Sequence, residues 1–249
     1  DFAETPRYQG AGSSQVNPTK LDDLLSCARA AGLNVTGFAK GFSRTDPHPQ
    51  TELIAEAVKL AESSGIVLLC VGLDEIAESE GLDRQTMELS AGQNALIDAV
   101  TKVNKNVILV LYGGSPFVMP ERSTYRAAIH GYLGGQAGAG AMVDALIGKV
   151  NPSGSLPDTW WVDNQLNPVQ NNFGSYTYEG SNNFNLGNNP TRFNQYVVYQ
   201  EGIYLGYKYT ETRYEDVVLG TPNAGSYVYN DVVGYPFGYG QSYTTFEMS

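Results

Sequence analysis

Apolar residues recur in this chain at two spacings, and the regular exchange between them predicts helices and buried strands in turn. A first helix begins at 19–21, with Leu21, Leu24, Leu25 and Ala28 on one face and Gly32 as its stop. Residues 33–39 follow as a short strand. A second helix over 51–63 keeps Leu53, Ile54, Ala57, Val58 and Leu60 mostly on one side, and Ser64-Gly65 ends it. Residues 66–71 are apolar on both faces, as a central parallel strand requires. A helix over 90–103, a buried strand over 106–112, a third strand over 127–132 and a helix over 139–147 complete the series. Helix and buried strand alternating in this way predict right-handed βαβ units. The fold class is therefore α/β, a mostly parallel sheet with helices on both faces, or three-layer α/β/α sandwich.

The character changes at Asn151-Pro152-Ser153-Gly154-Ser155-Leu156-Pro157. Beyond it Asn, Gly, Pro and Tyr dominate, and 196–199 and 203–209 are the only strong strand candidates. The expected organisation is a single domain over 1–249. Residues 19–150 form its core, and 151–249 form a loop-rich extension packed on the sheet, with backbone mostly facing water. The Asn-rich stretch 182–189 is too short to count as low complexity.

The formal net charge of −11 argues against nucleic acid and anionic membranes as partners, since phosphates need a basic patch. No apolar run has the length of a membrane span, and no secretory signal is visible. The chain reads as soluble, in the cytoplasm or outside the cell. Tyrosine is abundant at 17 copies, a residue suited to wet surfaces and sugar rings. Cys27 and Cys70 read as small core residues rather than a disulfide. His48 and His130 lie far apart without ligand spacing, so no metal site is expected, and no cofactor either. The opening Gly10-Ala11-Gly12-Ser13-Ser14 stretch lets backbone approach a ligand but is not a dinucleotide fingerprint.

Chemistry concentrates after the strand at 66–71. Asp74, Glu75, Glu78, Glu80 and Asp83 fall within ten residues and are closed by Arg84. Loops at the carboxyl ends of strands in open α/β sheets are the usual ligand sites. Taken alone, the cluster reads equally well as a solvated acidic loop.

Several stretches together resemble the second domain of glycoside hydrolase family 3. They are Glu78-Ser79-Glu80-Gly81-Leu82-Asp83-Arg84 with Met87-Glu88-Leu89 and Gln93-Asn94-Ala95-Leu96-Ile97, then Tyr112-Gly113-Gly114-Ser115-Pro116, Gly134-Gly135-Gln136 and the 151–157 turn. Residues 199–209 and 235–246 complete the set. The resemblance implies part of a retaining β-glycosidase, of β-glucosidase or β-xylosidase type, acting on β-linked oligosaccharides or glycosides. It implies that the acid/base glutamate comes from this loop and the nucleophile from a (β/α)8 barrel. That barrel is absent from this chain, as is a first strand before the Gly/Ser loop, so the isolated chain is expected to be inactive. The resemblance makes Glu78 the expected acid/base, because its spacing from Gly72 matches the family's motif, with Glu80 as runner-up. Ser13 and Ser14 lie where the family's loop borders the substrate; Ser13 stands where some relatives carry Trp. Asp83 and Arg84 are expected to form an ion pair that fixes the loop. Trp160 and Trp161 are expected as packing anchors, and so are Tyr199, Tyr204, Tyr207 and Tyr209. A non-catalytic carbohydrate-binding or structural module is the alternative. A nucleotide- or flavin-binding protein, with Gly113-Gly114-Ser115-Pro116 on a phosphate, rests on fold analogy alone.

Overall fold

The computed structural model describes residues 1–171, 176–177, 195–196, 198–222 and 224–247, and these divide into two compact units. The first comprises Asp1–Ser155 with Gly240–Ser249, and the second Leu156–Tyr239.

In the first unit, α1 is Leu24–Ala30, α2 Thr51–Glu62, β1 Val67–Gly72, α3 Ala91–Val103, β2 Val107–Tyr112, β3 Ala127–His130 and α4 Gly138–Leu146. The strands form one parallel sheet in the order β1-β2-β3. Helix α2 packs with α3, and α1 with α4, giving the expected helix layers over a parallel sheet. The core is the inner run of β1 and β2. Val71, Val107, Leu109 and Val110 are completely or almost completely buried, joined by Leu96, Ile97 and Val100 of α3.

Local chemistry sets the helix ends. The Asp23 carboxylate accepts from the Ser26 amide (2.7 Å), so α1 starts at Leu24 rather than at 19–21 and Leu21 lies outside it. Ser90 caps α3 in the same manner, accepting from the Gln93 amide. Residues 33–39 are not a strand. They lie opposite the free side of β1 and make no ladder with it, and an extended segment without a hydrogen-bonded neighbour is not a sheet element.

Both cysteines are free; Cys70 is buried in β1 and Cys27 only half-buried on α1. The last residues return to the first unit. Asn151 exchanges hydrogen bonds with Ser242 and accepts from the Tyr243 amide (2.8 Å), while the Tyr243 hydroxyl donates to the Ala145 carbonyl (2.9 Å).

The second unit contains β4 (Trp160–Trp161), α5 (Pro168–Asn171), β5 (Tyr176–Thr177), β6 (Gln195–Tyr196), α6 (Tyr207–Leu219), α7 (Tyr229–Val232) and β7 (Val233–Tyr235). Strand β4 pairs antiparallel with β7, and β5 with β6. Trp160 is buried against this pairing, in keeping with a packing role. The expected strand at 203–209 is a correction. Tyr207 and Tyr209 open a 13-residue helix whose one inward face carries Thr210 (0% exposed), and Gly220 closes it with a left-handed φ of 64°. Alternating tyrosines imitated a strand period over too short a window to separate it from a helix. Tyr207 packs face to face on Phe237 but is itself exposed, as are Tyr199 and Tyr204. Residue 197 of the expected 196–199 strand and the stretch 182–189 fall outside the described residues.

No described helix is long and apolar enough to cross a membrane, and no described cluster of His, Cys, Asp or Glu could hold a metal ion.

Candidate active site

The register of β1 on β2 opposes Gly72 to Tyr112, so the loops that leave the two strands emerge side by side. Gly72 makes this possible. Its φ is 150°, and a Cβ on it would stand 1.9 Å from the Tyr112 carbonyl oxygen. The buried Gln93 side chain clamps the same residue, accepting from the Gly72 amide (2.8 Å) and donating to its carbonyl (2.9 Å). The acidic loop therefore starts from a fixed point.

The Asp74 carboxylate then accepts from the Ile76 and Ala77 amides, and the Glu78 amide donates to the Asp74 carbonyl. This Asx-type turn swings Glu78 back over the sheet. There the Gly114 amide reaches both carboxylate oxygens (2.8 and 3.0 Å), and the Ser115 hydroxyl donates at 2.5 Å. The Arg7 guanidinium stands 3.8 Å away and is 1% exposed. Arg7 Nε donates to the Gln9 carbonyl, and its nearest other carboxylate is Glu75 at 4.0 Å. The Gly113-Gly114-Ser115 turn is thus an anion site as its composition suggests, and its anion is the chain's own Glu78.

Glu80 lies two residues further on in a different setting. It is exposed, and its Oε2 accepts from both the amide and the hydroxyl of Ser13 at 2.5 Å. These two bonds, the hydroxyl's first, hold its carboxyl below the usual range. The Glu80 amide in turn donates to the Ala11 carbonyl (2.9 Å), and Ala11 bridges Ser79. Gly12 permits the approach, since a Cβ there would meet Glu80 Oε2 at 2.9 Å. Ser14 is exposed and takes no part in these bonds.

Around them, Glu75 is bonded to Arg44. Its partial burial acts to raise the carboxyl, but the Arg44 hydrogen bond and charge prevail and it lies below the ordinary value. Asp83 and Arg84 do not pair with each other. Arg84 instead donates to the Pro116 carbonyl (3.0 Å) and to Ser115 Oγ (3.3 Å), fastening the acidic loop to the loop after β2, while Asp83 faces outward. Burial pulls the Arg84 guanidinium below its usual value, with nearby Glu78 opposing.

The two glutamates that the sequence offered as alternatives therefore differ in kind. Glu78 is enclosed by donors and cations, and Glu80 is presented outward on a stiffened loop. Arg7 and Gln93 carry much of this arrangement and were not foreseen. A single arginine in a Gly/Ser loop leaves no pattern to read, and Gln93, though it stands in one of the resembling stretches, shows no role there because its partner Gly72 is 21 residues away.

The chain is similar to several known proteins. The model of the glycosyl hydrolase family 3 C-terminal domain matches residues 1–207. The thermostable β-glucosidase B of Acetivibrio thermocellus is 37% identical over all of this chain, which covers 29% of that protein. An exo-α-(1→6)-L-arabinopyranosidase of Bifidobacterium longum is 36% identical, again over the whole chain and 28% of its own length. The crystal structure of a Bifidobacterium adolescentis family 3 β-glucosidase superposes with a TM-score of 0.77 at 38% identity, over 98% of this chain and 31% of that one. The chain thus spans under a third of the length of each of these three proteins. Sequence and fold agree, and this chain belongs to glycosyl hydrolase family 3, in the part that forms its C-terminal domain.

Proposed function

We propose that the chain is the sandwich part of a retaining β-glycosidase and that Glu80 is the general acid/base it presents to a barrel domain of the longer protein. The observation that supports this reading is the opposite placement of the two glutamates. A proton donor has to reach a glycosidic oxygen that lies on another domain, close to a nucleophile about 5–5.5 Å from it. Glu80 is exposed at the tip of its loop, and its restraint is a pair of bonds to Ser13. Glu78, the residue first expected in the role, has its oxygens committed to Gly114 and Ser115 and a buried arginine beside it. It positions the loop.

Glu80 in the chain by itself is held ionised by Ser13. Docked against a barrel with sugar in place, it loses water, and the Ser13 hydroxyl can turn to the substrate. Both changes raise the carboxyl toward the range an acid/base needs. Ser13 then serves as the border of the leaving-group site. The named activities of the relatives differ, β-glucosidase in one and α-L-arabinopyranosidase in another, so the choice of sugar belongs to parts outside this chain.

The test is made in the full-length enzyme. Glu80→Gln should lower turnover of an unactivated glycoside by about 10²–10⁴-fold, the usual contribution of general acid–base catalysis. Azide should partly restore turnover of an activated nitrophenyl glycoside and yield the β-glycosyl azide. Azide rescue of Glu78→Gln with none for Glu80→Gln would return the role to Glu78.

A further inference from the structure

The Gly/Ser loop that bonds Glu80 is closed on itself at its neck. The Gln9 side-chain oxygen accepts from the Val16 amide (2.8 Å), and its Nε2 donates to the Tyr8 hydroxyl (2.9 Å). That hydroxyl in turn donates to the Val16 carbonyl (3.4 Å). Residues 9–16 thereby form a compact Ω-type loop whose ends adjoin. The neck is fastened to the first unit from below. The Gln9 carbonyl accepts from Nε of the buried Arg7 (2.9 Å), and the Tyr8 carbonyl accepts from the Gly135 amide (2.9 Å) in the turn before α4.

The far end of the loop meets the acidic loop at two points. Ala11 bridges Ser79 and accepts from the Glu80 amide, while Ser13 bonds the Glu80 carboxylate through its amide and its hydroxyl. The Ala11 contact joins one loop to the other, so it moves with both. Ser13 comes two residues after that contact and three before Val16, and its place relative to the sheet is therefore set from the neck. Within the neck, the Gln9 side chain spans the opening, with Tyr8 on one side of it and the Val16 amide on the other.

Placement at this point governs proton transfer. In the glycosyl-transfer step the proton passes from the Glu80 carboxyl to the leaving oxygen as the bond from that oxygen to the anomeric carbon breaks, and the nucleophile of the barrel takes the carbon. A reacting group misplaced by about 1 Å can cost about 100-fold in rate. An alkoxide leaving group needs the proton and a dinitrophenolate does not, so a displaced acid is felt only by the former.

Given the acid/base role proposed for Glu80, on which this rests, we propose that Gln9 is a positioning residue for the same reaction. By closing the neck of the 9–16 loop it sets Ser13, and through Ser13 the carboxylate of Glu80.

Gln9→Met keeps the length of the side chain and removes its hydrogen bonds. In the full-length enzyme it should lower kcat/KM for an alkyl glycoside by about 10- to 100-fold and leave the dinitrophenyl glycoside of the same sugar within about twofold. The alkaline limb of the kcat/KM profile, set by the proton donor of the free enzyme, should also move to higher pH, because the bonds from Ser13 hold the Glu80 carboxyl low. Tyr8→Phe, which removes the hydroxyl between Gln9 and Val16, should move both readouts the same way by less, and it decides if Gln9→Met does not fold. Equal loss with both leaving groups, no loss, or an unmoved limb overturns the proposal, since a purely structural defect lowers both substrates together. Glu80→Gln is the reference. If it shows the leaving-group-dependent loss and Gln9→Met does not, Gln9 loses its role and Glu80 keeps its own. If Glu80→Gln is itself indifferent to the leaving group, the acid/base reading fails and the role of Gln9 falls with it. In a Glu80→Gln background Gln9→Met should cost less than about twofold more, as for groups that act as a unit.

Discussion

Replacing Glu78 with Gln separates a positioning role from a catalytic one, because only the former predicts a large loss of stability. Glutamine keeps the shape of the side chain but gives it an NH2 where the carboxylate accepts from Gly114 and Ser115. Hydrogen bonds to a charged group contribute about 1.5–3 kcal/mol, and part of this survives through the remaining amide oxygen. The larger effect falls on Arg7, which is 1% exposed and whose remaining carboxylate would be Glu75, 4.0 Å away and 46% exposed. Removing one partner of a buried ion pair costs about 3–5 kcal/mol, and the 3.8 Å separation here places the effect at the low end. A total near 3 kcal/mol at about 2–4 °C per kcal/mol lowers Tm by roughly 6–12 °C. Urea titration and thermal melting followed by circular dichroism would measure it. Glu80→Gln, on an exposed loop, should lower the unfolding midpoint much less than Glu78→Gln does. In an Arg7→Met background the Glu78→Gln cost should fall by about 1–2 kcal/mol, since the charge it protected is gone. A Glu78→Gln chain as stable as the parent, or one whose cost is unchanged without Arg7, would refute the reasoning.

Gly72→Ala should abolish folding, since the new Cβ overlaps the Tyr112 backbone at 1.9 Å and no rotamer relieves it. The expected cost exceeds about 4 kcal/mol, read as loss of cooperative unfolding; a variant with the parent's midpoint would show that the strand ends are not held as described. In a chain cut to begin at Asp1, burial pulls the ammonium down to about 6 from 8.0, so the unfolded form binds more protons between those values. Stability of a chain with a free Asp1 amine should therefore rise from pH 6 to pH 8 and level off on either side. Acetylating the amine should abolish that rise, and a urea midpoint that is flat or falling over the same range before acetylation would contradict the burial.

Much of the core was legible because face periodicity is a local property. The helix at 90–103, capped by Ser90, and the strands at 66–71 and 106–112 emerge within a residue or two of their expected limits. Local pattern failed where a partner decides the outcome. Residues 33–39 have the composition of a strand but no neighbour to bond, and 203–209 had tyrosines at a strand-like spacing inside a helix that Gly206 and Gly220 delimit.

The acidic loop shows the same division at the scale of single side chains. Its composition and its place after a buried strand follow from the sequence alone, and so does membership of a family whose motifs it carries. Which glutamate turns inward does not. Glu78 and Glu80 are two residues apart in one motif, yet Glu78 is drawn in by Gly114 and Ser115, 36 and 37 residues later, and by Arg7 near the start of the chain. Glu80 is held at the surface by Ser13, 67 residues earlier. Electrostatic partners so distant in sequence meet only when the strand ends lie side by side. The tertiary structure therefore assigned the two carboxylates their different surroundings, while the sequence had already determined the sheet that brings their partners together.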